Sequence, residues 1–385
     1  MIQSLSNPSG EPSVQDALWH VALSDNSGQV DFKYVFDVYV NGSQLIRSKQ
    51  FANPSTGRGY FDAGPIVRNE FSYQWFVPNG VNPDNCYLAQ PNDSGQISLR
   101  YDIRVGEDYS GVTTTNMASG TVQVFNWVPA LFSRRQYDMT SMANKYMSDR
   151  PRVARHGLGE KLMIPIRCDA ALKINCSAYD YNNNLIQSLS QSGTYANNGF
   201  VQLDIGSAGV NDTIGVEIVN ENVKYYDVWF NSLEKFRVYL DCNPKYETVL
   251  LHFVNYWGMF ETARFSLVRR LNMEVERKSF QKNDVRFGSG VTYYDSNNVY
   301  HETKTNYGSK ATWYYKVTMD FPTDEEYQWI EQLIQSPLIY FQDGNDYYPV
   351  TLRTNNYEYS KQVFNGLKVL ELEFDLNQTR YGYRR

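Results

Sequence analysis

The sequence predicts a mainly β chain: a β-rich α+β protein of several antiparallel β-sandwiches, closed by a C-terminal, split-barrel-like unit that carries one helix. Three observations predict it. Apolar and polar residues alternate over many short runs. Asn-Gly and Asp-Gly turn signals part those runs. Aromatic residues reach 15% of the chain, with 31 Tyr and 20 Phe, and aromatic rings sit well on a pleated surface. Tyr and Trp also give rigid contact area between proteins, so the excess fits assembly as well as strand content.

With 385 residues, the chain exceeds one ordinary core. Residues 1–17, rich in Ser, Asn, Pro and Gly, read as a flexible arm. Residues 18–127 read as a first sandwich. There Phe32, Tyr34, Phe36, Val38 and Val40 share one face before an Asn41-Gly42 hairpin turn. Ile97, Leu99, Tyr101, Ile103 and Val105 face inward, with Ser98, Arg100, Asp102 and Arg104 facing out. Residues 128–161 lack alternation and read as an extended connector. Short strands parted by Asn/Gly turns over 162–243 suggest a second sandwich or jelly roll.

Residues 244–385 form the last region, and only here is a helix well marked, at 323–336. Thr323 and Glu326 have the T-x-x-E spacing of a capping box. Asp324, Glu325 and Glu326 place negative charge at the helix N-terminus. Trp329, Ile330, Leu333 and Ile334 make one apolar stripe, and Ser336-Pro337 ends it. The stripe is expected to lie across a sheet of 311–321, 338–342, 347–353 and 368–376, meeting Leu370, Leu372, Phe374 and Leu376.

Net charge is −6 and pI about 5.4, which argues against a general nucleic-acid binder. Two basic stretches, 134–161 and 264–286, each hold seven Lys/Arg against three Asp/Glu and could dock an acidic neighbour. No apolar run approaches the roughly 20 residues that span a bilayer. The chain opens without a basic segment followed by an apolar one, so no export signal is expected. Cys86, Cys168, Cys176 and Cys242 have no C-x-x-C spacing and read as free thiols of a cytosol-made protein.

Chemistry is poorly signposted. His20, His156, His252 and His301 are scattered, without zinc-ligand spacing. Residues 157–161 lack the spacing of a phosphate loop, and "YDYNNN" at 179–184 reads as a turn in preference to a calcium loop. The 42 acids nominate no facing pair for glycoside hydrolysis. The expectation is a protein without catalytic residues, cofactor or metal, hence not an enzyme.

The stretches "KATWYYKVTMDFPTDEEYQWIEQLIQSPLIYFQDGNDYYPVTL" and "KVLELEFDLNQTR", with "WGMFETARFSL" and "RRLNMEVERKSF" before them, resemble tailed-bacteriophage virion structural proteins of the distal tail and baseplate hub type. The resemblance covers roughly 250–385. "FDVYVNGSQLIRSKQFANPSTGRGYFDAGPIV" is loosely similar to the fibronectin-type modules of phage virion proteins, which makes 18–127 fibronectin-like. Typical distal tail proteins place the belt-forming domain first, whereas here the helix-bearing unit comes last. The resemblance implies a structural protein of a tail tip or baseplate, built in the host cytoplasm into the virion. It would be a homo-oligomeric ring or hub joining the tail tube to distal components, with tube, hub and fibre proteins as partners. Neither nucleic acid nor membrane insertion is implied. The alternative class is a β-sandwich adhesin or glycan-binding, receptor-binding protein, which at a cell surface needs export.

Overall fold

Period-2 alternation decides the first elements, because it puts every apolar residue of a strand on one face. A computed structural model describes residues 1–10, 12–72, 87–89, 97–127, 144–168, 172–192, 199–282, 286–287, 290–292, 304–321, 323–354 and 368–381. Most of the described residues lie in strands and few in helices, so the protein is mainly β with several antiparallel sheets.

The chain begins with β1 (Ile2–Ser6), β2 (Trp19–Ser24), β3 (Lys33–Val40), β4 (Ser43–Phe51), β5 (Arg58–Asp62) and helix α1 (Gly64–Arg68). There follow β6 (Tyr87–Ala89), β7 (Ser98–Tyr109), β8 (Val112–Phe125), β9 (Lys145–Tyr146), β10 (Val153–Gly157) and β11 (Met163–Cys168). Next are β12 (Lys173–Tyr179), β13 (Leu185–Ser192), β14 (Gly199–Asp204), α2 (Ser207–Ile214), β15 (Tyr225–Phe230) and β16 (Phe236–Asp241). After these come β17 (Val249–Val254), β18 (Phe260–Phe265), β19 (Arg269–Gln281), β20 (Arg286–Phe287), β21 (Val291–Thr292) and β22 (Lys304–Phe321). The last are α3 (Asp324–Trp329), α4 (Glu331–Gln335), β23 (Ile339–Asp343), β24 (Asp346–Leu352) and β25 (Lys368–Tyr381).

The chain divides into two compact units. One is Met1–Asn243 with His252–Ala263 and Gln328–Pro337; the other is Pro244–Leu251, Arg264–Tyr327 and Leu338–Arg385. These boundaries replace the expected linear series of domains.

In the first unit, sheets β1-β2-β5 and β4-β3-β7-β8 enclose one core. Tyr34, Phe36, Val38, Leu99, Tyr101, Ile103 and Val105 are buried there, as their alternation requires. Asn41 and Gly42 both have positive φ, at 50° and 80°, which matches the right-handed twist of the β3–β4 hairpin. Residues 1–17 are no free arm. Strand β1 pairs with β2, and Val14 N donates to Phe125 O at 2.9 Å. Ile2 and Val14 are buried, so two apolar residues among the polar ones suffice to anchor the segment. Ser98 is buried, not outward, where it pairs with Phe125 at the start of β7.

A second core lies between sheets β10-β16-β15-β12-β13 and β6-β14-β11-β9. Strand β10 runs parallel to β16, and the other pairs of these two sheets are antiparallel. The expected connector is corrected here. Its residues 128–143 lie outside the described ones, but β9 and β10 are strands of this second pair of sheets. Runs of two and five residues are too short for alternation to announce them.

The second unit is built on long antiparallel strands. β19 pairs with β22 from Arg269↔Val317 to Gln281↔Lys304, β22 pairs with β25, and β23 and β24 form a hairpin with Gly344 at φ +61°. Tyr315, Phe341 and Phe374 meet with ring centroids 5.3–5.7 Å apart. Leu370, Leu372 and Phe374 are buried and Leu376 is half-buried. The single expected helix is two short ones, α3 and α4, meeting at Ile330.

Candidate functional site

The expected helical stripe leads to a buried polar seat in the first unit. Thr323 Oγ1 accepts the backbone N–H of Glu326 at 3.1 Å, which is the N-cap half of the predicted box. Trp329, Ile330 and Leu333 are buried. Ile334 is only half-buried, and Gln332 is buried in its place. The break at Ile330 explains the exchange, because two short helices do not keep one continuous 3.6-residue stripe.

The contacts of Trp329 differ from those expected with the sheet of 311–321 and 368–376. Its ring lies 5.6 Å from that of Phe253, and the Arg150 guanidinium sits 4.5 Å from its centroid. Its indole N–H donates to Glu261 Oε2 at 2.6 Å. Asn255 Nδ2 donates to Glu261 Oε1 at 2.5 Å and to Met147 O at 2.8 Å. Arg150 Nη1 donates to Thr262 O at 2.6 Å. Thr262 Oγ1 accepts Met163 N at 2.9 Å and lies 2.9 Å from His252 Nδ1. His252 is therefore a hydrogen-bonded strand residue, as its apolar setting predicts.

Local sequence makes this arrangement possible. Asn255 opens a tight turn in which its Oδ1 accepts Trp257 N at 3.0 Å and Met259 N at 3.1 Å, while Gly258 N donates to Asn255 O at 3.0 Å. Asn at the first and Gly at the fourth turn position is the favoured pattern. Gly258 is required twice over: its φ is +76°, and a Cβ there would stand 2.3 Å from Asn126 O. From the helical side, Gln332 Oε1 accepts Tyr256 N at 3.0 Å and Ser336 Oγ accepts Val254 N at 2.9 Å. Gln332 Nε2 donates to Asp149 Oδ2 at 2.9 Å.

Burial pushes the Glu261 carboxyl up to about 6, against the opposing pull of Asn255, Arg150, Ser148 and Trp329. Burial likewise raises Asp149, opposed by Gln332. Chemically this is a clamp: the named side-chain N–H donors of Trp329, Asn255, Arg150 and Gln332 go to carboxylates or backbone carbonyls and hold them in place. None of Glu261, Arg150, Asn255, Asp149 and Gln332 stands out in the sequence. The acid within "FETARF" reads as an outward strand residue, yet all six residues of β18 are buried.

Among the described residues no group of three or more His, Cys, Asp or Glu could hold a metal ion, and no helix is long and apolar enough to cross a membrane. Cys168 and Cys176 are buried free thiols and Cys242 is half-buried; Cys86 and His301 lie outside the described residues. The chain matches no model of a known protein family, and no curated protein matches it.

Proposed function

We propose that the protein is a structural component of a phage tail tip or baseplate, assembled into a homo-oligomeric ring or hub that joins the tail tube to distal components. The resemblance over 250–385 supports this reading, and one structural observation carries it. Two strands, β13 and β19, stand at sheet ends where no other strand pairs with them among the described residues, and they expose apolar side chains there: Leu185 with Ile186, and Leu271 with Met273. Single exposed apolar residues are ordinary, but apolar residues on a long unpaired edge favour contact with another chain. In this reading tube, hub and fibre proteins are the partners, the virion is the location, and no turnover is performed.

Antibody labelling of particles of the encoding phage tests the proposal, with label at the tail tip in several copies as the expected result. Particles that lack the protein, or carry one copy per tail, overturn it. Cleavage of a polysaccharide or peptidoglycan by the pure protein, lost on changing one acidic pair, overturns the non-enzymatic part.

A further inference from the structure

The edge strand β19 carries charges that answer one another when two copies of it meet. It stands at one end of its sheet, and among the described residues no strand pairs with its outer edge. Charged residues on an edge ordinarily discourage pairing. The order of the charges matters here. Arg270 stands opposite Lys316 of β22, a like-charged cross-strand pair that is unfavourable. Lys316 is itself held by Glu371 at 2.7 Å. Arg270 has no carboxylate partner among the described residues. Glu274, four residues on and so on the same face, has a side chain 66% exposed and meets Arg353 Nη1 at 3.0 Å. A carboxylate has room to accept from a second guanidinium.

We propose that β19 pairs antiparallel with β19 of a second copy of this chain, about a two-fold axis through Asn272. Arg270 of each copy then lies opposite Glu274 of the other, and Leu271 opposite Met273. Opposed residues have the same parity in this register, so side-chain faces match and the backbone can pair whichever parity points outward. Among the neighbouring registers, axes through Glu274 and Glu276 set each acid against itself, and one through Val275 sets Glu274 against Glu276. An axis through Met273 pairs Arg270 with Glu276 but sets Arg269 against Arg277, and one through Leu271 makes no Arg–Glu pair. Such a contact is isologous. It rests on β19 alone and stands whether or not the protein belongs to a tail.

The test uses the full chain in solution. Asn272→Cys should give a covalent dimer on mild oxidation, because directly opposed residues have Cβ atoms about 4.5–5.5 Å apart. Glu276→Cys, opposite Val268, should give no more dimer than the unaltered protein. Arg270→Glu and Glu274→Arg should each reduce the native mass to that of a monomer, and the two together should restore the dimer. Circular dichroism verifies that each variant is folded. The double exchange matters because Glu274→Arg also loses its contact with Arg353. A monomeric mass at every concentration with no crosslink at 272, equal crosslinking at 272 and 276, or a folded double variant that stays monomeric would each overturn the pairing.

Discussion

At Glu261 one carboxylate accepts from an indole and a carboxamide with no access to solvent. The folded protein holds its proton more tightly than the unfolded chain, since burial raises it from 4.5 to about 6. The cost of burying the charge is therefore absent below about pH 4.5 and full above about pH 6. Stability contributed by this site falls as pH rises through that window, by about 2 kcal/mol. Glu261→Gln should remove that slope, so the stability difference between variant and parent, from urea unfolding at several pH values, should change across the same window and level off outside it. A parallel pair of curves would show that Glu261 does not titrate there. Trp329 supplies both packing and the donor. Trp329→Ala should cost about 3–5 kcal/mol. Trp329→Phe, which keeps most of the packing but leaves Glu261 Oε2 short of a donor, should cost about 1–3 kcal/mol, both read from unfolding followed by circular dichroism.

Elements differ in how far the sequence announces them. The strands β3 and β7 are legible because alternation, a turn dipeptide and β-branched or aromatic residues agree. The helical segment is legible at its ends, in Thr323 and Pro337, and in its apolar residues Trp329, Ile330 and Leu333. Its seat was not. Alternation and helical spacing say which face is buried, never what it is buried against, and Gln332 and Glu261 are polar residues buried only because distant partners satisfy them. The amino-terminal segment is obscured for a related reason, since its polar composition hides two anchoring apolar residues, Ile2 and Val14. The Asn255–Gly258 turn offers a test of how an element is fixed. Gly258→Ala meets a left-handed φ and the Asn126 carbonyl together, and should cost about 2–4 kcal/mol. Gly215 closes α2 at φ +75° with open space where its Cβ would go. Gly215→Ala there should cost only about 1 kcal/mol. Equal losses at the two glycines, measured by thermal unfolding, would mean that the close approach at Asn126 contributes nothing.

For the whole molecule, the division of the chain sets the order in which it can be completed. The first unit is not a continuous stretch: beyond Asn243 it takes in His252–Ala263 and Gln328–Pro337. Gln202 is satisfied at both ends by the backbone of Phe260, at 2.7 and 3.1 Å, and Asp149 by Gln332. A fragment ending at Asn243 keeps both pairs of sheets but loses those partners. It should bind an apolar dye and unfold at lower urea than the same unit in the full chain, and equal stability of the two would refute the dependence. During synthesis at about 5–20 residues per second, the first unit waits on the order of 5–20 s between the emergence of Asn243 and that of Pro337. Throughout that interval the nascent chain carries an unfinished surface, so pausing or truncation within 244–337 puts at risk a region that has already been translated. A single genetic lesion within 244–337 would thus be felt in the sheets that precede Asn243.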